Sequence, residues 1–229
     1  MRQAARYDKI ECMKKIIRYI GIVLCWLMIL SVVQVAVLRF VPITRTPLMV
    51  LRKCEAIGSG RDLSIRQHWR KLSDISPNMQ NAVIAAEDSH FYEHGGFSAE
   101  GIERAVRELQ EGQLHHGGST ISQQTAKNVF CLPHRTYLRK AVEAYYTVLI
   151  ELLWGKDRIL EVYLNVAEMG DGIFGAEAAA QQYFHTSAAI LTREQSALIA
   201  VCLPNPRRMS PAIPTTYITQ RQQTILRQF

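Results

Sequence analysis

The chain has 229 residues, 48% hydrophobic and 21% charged, enough for one substantial core and an extra segment but not for a second full domain. Its formal net charge of +7 is concentrated near the N-terminus, where Arg2, Arg6, Lys9, Lys14, Lys15 and Arg18 stand against Asp8 and Glu11, leaving 21 basic and 18 acidic residues elsewhere. That balance argues against nucleic acid as a partner, and five cysteines without CxxC spacing argue against a disulfide framework or a thiolate metal site.

From Tyr19 to Leu38 the sequence runs twenty residues without a charge, and at about 1.5 Å per residue this spans a hydrocarbon core of about 30 Å. A buried core helix is the rival reading, but charges bracket the run and no amphipathic stripe breaks it. A cleaved signal peptide is a second rival, countered by the length of the run and the lack of a small-x-small cleavage site. The basic residues before the run keep the N-terminus cytoplasmic, so everything after Arg39 is expected outside, as a domain held on an uncleaved anchor. Its slight basic excess suits an anionic, membrane-bound substrate.

Residues 39–75 contain Pro, Gly and scattered charge with weak periodicity, which predicts a connector with one short strand around Leu48–Leu51. Helical signals then dominate. Ser76 and Pro77 form an N-cap and first helical residue, and Thr120 with Gln123 makes a capping box. An apolar stripe runs from Leu138 to Trp154 and stops at Gly155. Asp157 is expected to cap the following helix through Met169, before a turn at Gly170–Gly172. Thr192 and Gln195 make a second capping box, opening a helix that ends before Pro204. Period-2 alternation is scarce, so the fold class is mostly α.

Chemistry could reside in several of these segments. In AAEDSHFYEHGGF, Ala85 to Phe97, Glu87 and Asp88 close an apolar helical turn, and burial raises a carboxyl pKa into the range of a general acid or base. At helical spacing Glu87, Phe91 and His94 would share a face, although a capped helix end with a satisfied His accounts for the pattern equally. In GGSTISQQTAKN, Gly117 to Asn128, Gln124, Lys127 and Asn128 lie on the first turns of a helix whose free N–H groups and lysine suit phosphate. The spacing is not that of a nucleotide P-loop. Arg139 and Glu143 stand at i and i+4, the spacing of an ordinary surface ion pair worth a few tenths of a kcal/mol. KDRILEVYLN, Lys156 to Asn165, reads as packing, with Ile159, Leu160, Tyr163 and Leu164 facing a core. Arg207 and Arg208, between prolines, suit a pyrophosphate or a solvated turn. The seven histidines are scattered, adjacent His115 and His116 cannot chelate as HExxH does, and no metal site follows.

Taken in order, EDSHFYEHGGF, GGSTISQQTAKN, RKAVE, KDRILEVYLN and PNPRRMSP resemble the successive motifs of the peptidoglycan glycosyltransferases. The resemblance runs from about Pro47 to the C-terminus and is greatest to the monofunctional biosynthetic transglycosylases, related to the glycosyltransferase domain of class A penicillin-binding proteins. It implies a lysozyme-like helical domain with a small membrane-facing lobe around Phe97 to Gly118. The resulting division is a cytoplasmic tail over 1–18, a transmembrane helix over 19–38, a connector over 39–75 and the glycosyltransferase domain over 76–229. The implied reaction joins lipid II units into β-1,4-linked glycan strands at the periplasmic face of the bacterial inner membrane. Glu87 would be the general base on the GlcNAc 4-hydroxyl, and undecaprenyl pyrophosphate would leave with inversion. Glu143 would be the second catalytic carboxylate, acting through a divalent cation, Mg²⁺ or Mn²⁺, or through the basic residues around it. Substrate binding would fall to Asp88, Phe91, His94, Ser119, Thr120, Gln123, Gln124, Lys127, Asn128, Arg135, Arg139, Lys140 and Arg207.

The partners this implies are lipid II, the growing lipid-linked strand, the membrane and other cell-wall synthesis proteins. Two departures from the family pattern stand out. No SxxK, SDN or KTG set follows, so no transpeptidase domain is expected, and Ser98 occupies a position after GF where the family often has an acidic residue. The rival functions are a lysozyme-like lytic transglycosylase or muramidase, which also needs a buried Glu, and a non-catalytic membrane scaffold of a cell-wall complex.

Overall fold

A computed structural model of the chain describes residues 2–99, 103, 118–132 and 136–229, with side chains from residue 13 onward. It forms two compact units, residues 1–41 and 42–229.

The first unit is one helix, α1 (Arg2–Leu38). Its segment Met13–Leu38 contains an 18-residue window with a mean hydropathy of 2.6 and is the one described helix long and apolar enough to cross a membrane. Leu24, Trp26 and Leu30 are all more than half exposed. A core helix can also be apolar all round, but it is covered by protein; only 6% of this segment's apolar window is buried, so the buried-core rival falls away.

The second unit is mostly helical. Its described elements are α2 (Pro47–Gly58), β1 (Arg66–Gln67), α3 (Pro77–Glu87), α4 (Ile121–Phe130), α5 (Tyr137–Leu153), α6 (Lys156–Val166), β2 (Glu168–Gly170), β3 (Ile173–Phe174), α7 (Ala176–Phe184), α8 (Arg193–Cys202) and α9 (Thr216–Leu226), with single 3₁₀ turns at Leu72–Asp74 and Ala188–Ile190. The expected caps hold: Ser76 accepts from Asn78 N–H, and Thr120 and Thr192 each form a complete capping box.

Four local expectations need correction. Leu48–Leu51 is helix rather than strand, because Thr46 caps the Met49 N–H and Pro47 takes the first helical position. Asp157 is not the cap of α6; Gly155 holds that position, with φ +76, and Asp157 lies in the first turn. That helix stops at Val166, and residues 168–174 form a bulged antiparallel hairpin whose second strand also pairs in parallel with β1, in the order β1-β3-β2. Finally, α3 ends at Glu87, so Phe91 and His94 do not continue its face.

The core of the second unit is built on α6, where Ile159, Leu160, Val162, Tyr163, Leu164 and Val166 are all buried. This helix packs against α4, α5 and α7, while α3, α8 and α9 pack on one another around Ala82, Ala197, Val201, Ile218 and Ile225. Asn165, 2% exposed, joins α6 to the segment before α3 by accepting from Arg70 N–H at 2.7 Å and donating to Arg70 O at 2.8 Å. Gly175 follows at φ +81, where a Cβ would lie 2.7 Å from Asn165 O; the close approach requires glycine. Residues of the expected connector belong to this unit, since α2 packs on α4 and Arg52 grips Glu168 of β2 through three bonds of 2.8–3.0 Å.

Candidate active site

The end of α3 delivers two carboxylates in different directions. Asp88, at the C-cap, turns inward and is 8% exposed. Its Oδ2 accepts from the Ile121 N–H at 3.0 Å, and its oxygens bond His94 Nε2 at 2.8 and 3.0 Å. The Gly96 N–H donates to His94 Nδ1 at 3.1 Å, which assigns the proton to Nε2. Thr120 Oγ1 donates to Gly96 O at 2.7 Å. Gly96 itself has φ +91, and a Cβ there would meet Glu151 Cγ at 2.8 Å. This network locks residues 88–96 to the start of α4.

The expectation of free N–H groups at that helix start is corrected by the same contacts. Asp88 takes the Ile121 N–H and Thr120 takes the Gln123 N–H, so two of the three N–H groups of the first turn are already engaged. Phe91 is fully buried beneath Lys156, whose Nζ lies 4.6 Å from the ring centroid.

Glu87 remains partly exposed. Gln124 Nε2, from α4, donates to its Oε2 at 2.6 Å and to Ser119 O at 3.3 Å. Burial pushes the Glu87 carboxyl above its ordinary range; the Gln124 hydrogen bond and the charges of Lys127 and Arg221 oppose the shift, and Asp88 adds to it. One turn along α4, Lys127 is pulled below the usual lysine range by burial and by Arg139 and Lys140, while Glu143 and Glu87 pull it back up. That helix thus carries the groups lying between the two carboxylates.

Glu143 is no surface partner. It is 2% exposed, and its two oxygens accept from Arg139 Nη1 and Lys140 Nζ. A carboxylate removed from water needs such compensation, and here it gathers two cations onto one face of α5. A divalent cation would find both Glu143 oxygens already engaged. Among the described residues no three His, Cys, Asp or Glu side chains cluster as a metal site. The donor set present does not fit a protein-built cation cage.

Beside these groups lies a cavity of about 390 Å³. Gln124, Lys127, Asn128 and Arg139 line it, joining four of the expected binding residues. Thr120 and Gln123 are buried in their capping box, and Asp88 is buried and His94 half-buried in the network above. Arg207 sits in an ion-pair network with Glu55 at 3.5 Å and Asp171 at 3.4 Å. Arg135 and nearly all of the lobe expected around Phe97 to Gly118 lie outside the described residues.

Four further lining residues, Arg52, Cys131, Tyr163 and Glu168, were not expected at the site. Arg52 and Glu168 are 116 residues apart and carry no local signal of their pairing. Tyr163 has the same helical spacing as its purely apolar neighbours. Burial raises the Cys131 thiol to about 11, so it stays protonated near neutrality and is no nucleophile. Cys54, Cys131 and Cys202 are all free thiols.

A helical domain that sets a partly buried carboxylate beside a cationic, carboxylate-braced pocket, and carries a membrane-spanning helix, has the makings of an enzyme acting on an anionic, membrane-held substrate. The chain belongs to the transglycosylase family, whose pattern it matches over residues 56–229. A biosynthetic peptidoglycan transglycosylase of Bacteroides thetaiotaomicron is 48% identical over 214 residues, covering 93% of this chain and 86% of that protein. The protein of the same description from Caulobacter vibrioides is 51% identical over 194 residues, covering 85% and 82%.

Proposed function

We propose that the chain is a peptidoglycan glycosyltransferase that polymerises lipid II into β-1,4-linked glycan strands and releases undecaprenyl pyrophosphate. It is a single-pass protein of the bacterial inner membrane with a periplasmic catalytic domain: α1 spans the bilayer, and the basic excess preceding it holds the N-terminus in the cytoplasm. We place the start of the catalytic unit near Pro42 rather than Ser76, with residues 1–18 as the cytoplasmic tail and 19–38 as the span.

The observation that carries the mechanism is the placement of Gln124 and Lys127 on successive turns of one helix, the first bonded to Glu87 and the second in the fields of both Glu87 and Glu143. Glu87, ionised, takes the proton of the incoming GlcNAc 4-hydroxyl as that oxygen attacks C1 of the MurNAc at the reducing end of the growing chain. The C1–oxygen bond to pyrophosphate breaks with inversion. A positioned base contributes roughly 10²- to 10⁴-fold. Charge developing on the leaving pyrophosphate is met by Lys127 and Arg139, with Lys140 beside them. Glu143 acts by holding Arg139 and Lys140 in place, which costs no reorganisation when the charge appears. Ser119 and Asn128 complete the sugar and phosphate contacts.

The purified full chain given labelled lipid II is expected to make long glycan strands in the presence of penicillin. Degradation of finished peptidoglycan without polymer would instead establish the lytic reading. Glu87→Gln is expected to abolish polymerisation with folding intact; retained turnover removes Glu87 from its role.

A further inference from the structure

We propose that Tyr163 is a positioning residue for glycosyl transfer, its hydroxyl tethering the Gln124 carboxamide so that the amide NH₂ stays aimed at the Glu87 carboxylate. The inference rests on the reading of Glu87 as the base.

Tyr163 is 1% exposed, in the middle of α6, at a position whose spacing reads as packing alone. A buried phenol nevertheless needs a hydrogen-bond partner. Its hydroxyl donates to Gln124 Oε1 at 3.3 Å, and the opposite end of that amide donates to Glu87 Oε2 at 2.6 Å and to Ser119 O at 3.3 Å. The Ser119 carbonyl and an ionised Glu87 only accept hydrogen bonds, so they select which way the amide faces. They do not keep it there. Gln124 borders the cavity, and with Oε1 unbound its carboxamide has open space to swing into. The Tyr163 hydroxyl, on the wall of the same cavity, holds Oε1 against that swing.

The groups around Glu87 come from every side: Asp88 from its own segment, Gln124 and Lys127 from α4, Tyr163 from α6 and Arg221 from α9. Of these, the Gln124 N–H is the direct hydrogen bond to the carboxylate and favours its charged form. Burial first, then the charges of Glu87 and Asp88, hold the Tyr163 phenol well above its ordinary range. It is therefore a constant donor wherever the enzyme works, and the titrating group is Glu87.

The test is the pH profile of kcat/KM for lipid II polymerisation by the full-length protein and its Tyr163→Phe variant. Loss of the tether weakens the Gln124 bond to ionised Glu87, so the ascending limb should move up by about one pH unit. At pH values below both pKa values kcat/KM should fall about ten-fold, the rate equivalent of that shift, while the plateau above them stays level. The double variant Tyr163→Phe, Gln124→Ala should be no slower than Gln124→Ala alone, since the hydroxyl acts only through the amide.

A folded Tyr163→Phe whose limb does not move, or substitutions whose effects multiply, overturns the proposal. If Tyr163→Phe does not fold, 3-fluorotyrosine at position 163 decides. It is nearly isosteric and a stronger donor, so the limb should move to lower pH through the polarised amide; an unmoved limb is again fatal. Glu87→Gln, run alongside, separates the two failures. Turnover in that variant sinks the base assignment, whereas a dead variant with an unmoved Tyr163→Phe limb sinks the tether alone.

Discussion

The Glu87 carboxyl is held above its ordinary range chiefly by burial, and this has opposite consequences for stability and for chemistry. Between its unfolded and folded pKa values the native chain keeps the proton while the unfolded chain has lost it, so stability falls as pH rises through that window. Glu87→Gln keeps the shape and an acceptor oxygen but never ionises. It should therefore melt higher than the parent at neutral pH. The advantage should vanish below about pH 4, where both forms are uncharged. Thermal melts of the two proteins across that range check it; a variant that melts lower at neutral pH would show that the charge is not a burden. On the proposed mechanism the residue that is costly to the fold is the one the reaction needs, the trade-off expected of an active-site group.

At the scale of elements, α4 is the part on which the site depends. Its start is fastened by the Thr120 capping box, by Asp88 on the Ile121 N–H and by Thr120 on Gly96 O. Its next turns present Gln124 and Lys127. Thr120→Ala removes the cap and the bond to Gly96 together and should cost about 1–2 kcal/mol in denaturant unfolding. Thr120→Ser should recover most of it, because the hydroxyl and not the methyl makes both bonds. Loss of polymerising activity in the alanine variant should exceed the loss of folded protein, since the Gln124 and Lys127 positions follow the helix start.

The capping signature was legible in the chain because it is local, four residues whose side chains and N–H groups satisfy one another. Thr46 and Pro47 obey the same rule, and the strand expected over Leu48–Leu51 overlooked them. The burial of Glu143 was not legible. The spacing of Arg139 and Glu143 is the same on an exposed or a buried face, and only the packing of α5 on α4 and α6 distinguishes them.

For the whole molecule, α1 and the helical unit from Pro42 onward are separate compact bodies. The second has its own core, so a chain lacking residues 1–41 should fold, with an unchanged circular dichroism spectrum over the helical unit. Its polymerisation of lipid II in vesicles should fall roughly 10²-fold or more, because the span turns a three-dimensional encounter into one between molecules in the same bilayer. Full activity on vesicles without the span would leave the helix as an address only.

The sequence alone determined the anchor, its orientation, the mostly helical class and, through five motifs in order, the family. All of these are written in runs or short spacings, where periodicity, charge bias and capping act between near neighbours. Only the tertiary structure decided that Asp88 bonds both His94 and the start of α4, that Glu143 is buried between Arg139 and Lys140, and that the Tyr163 hydroxyl bonds the Gln124 amide whose other end meets Glu87. Those facts depend on side chains from different helices meeting in a low-dielectric interior. There a polar group must find a partner, and which partner it finds depends on how the helices pack.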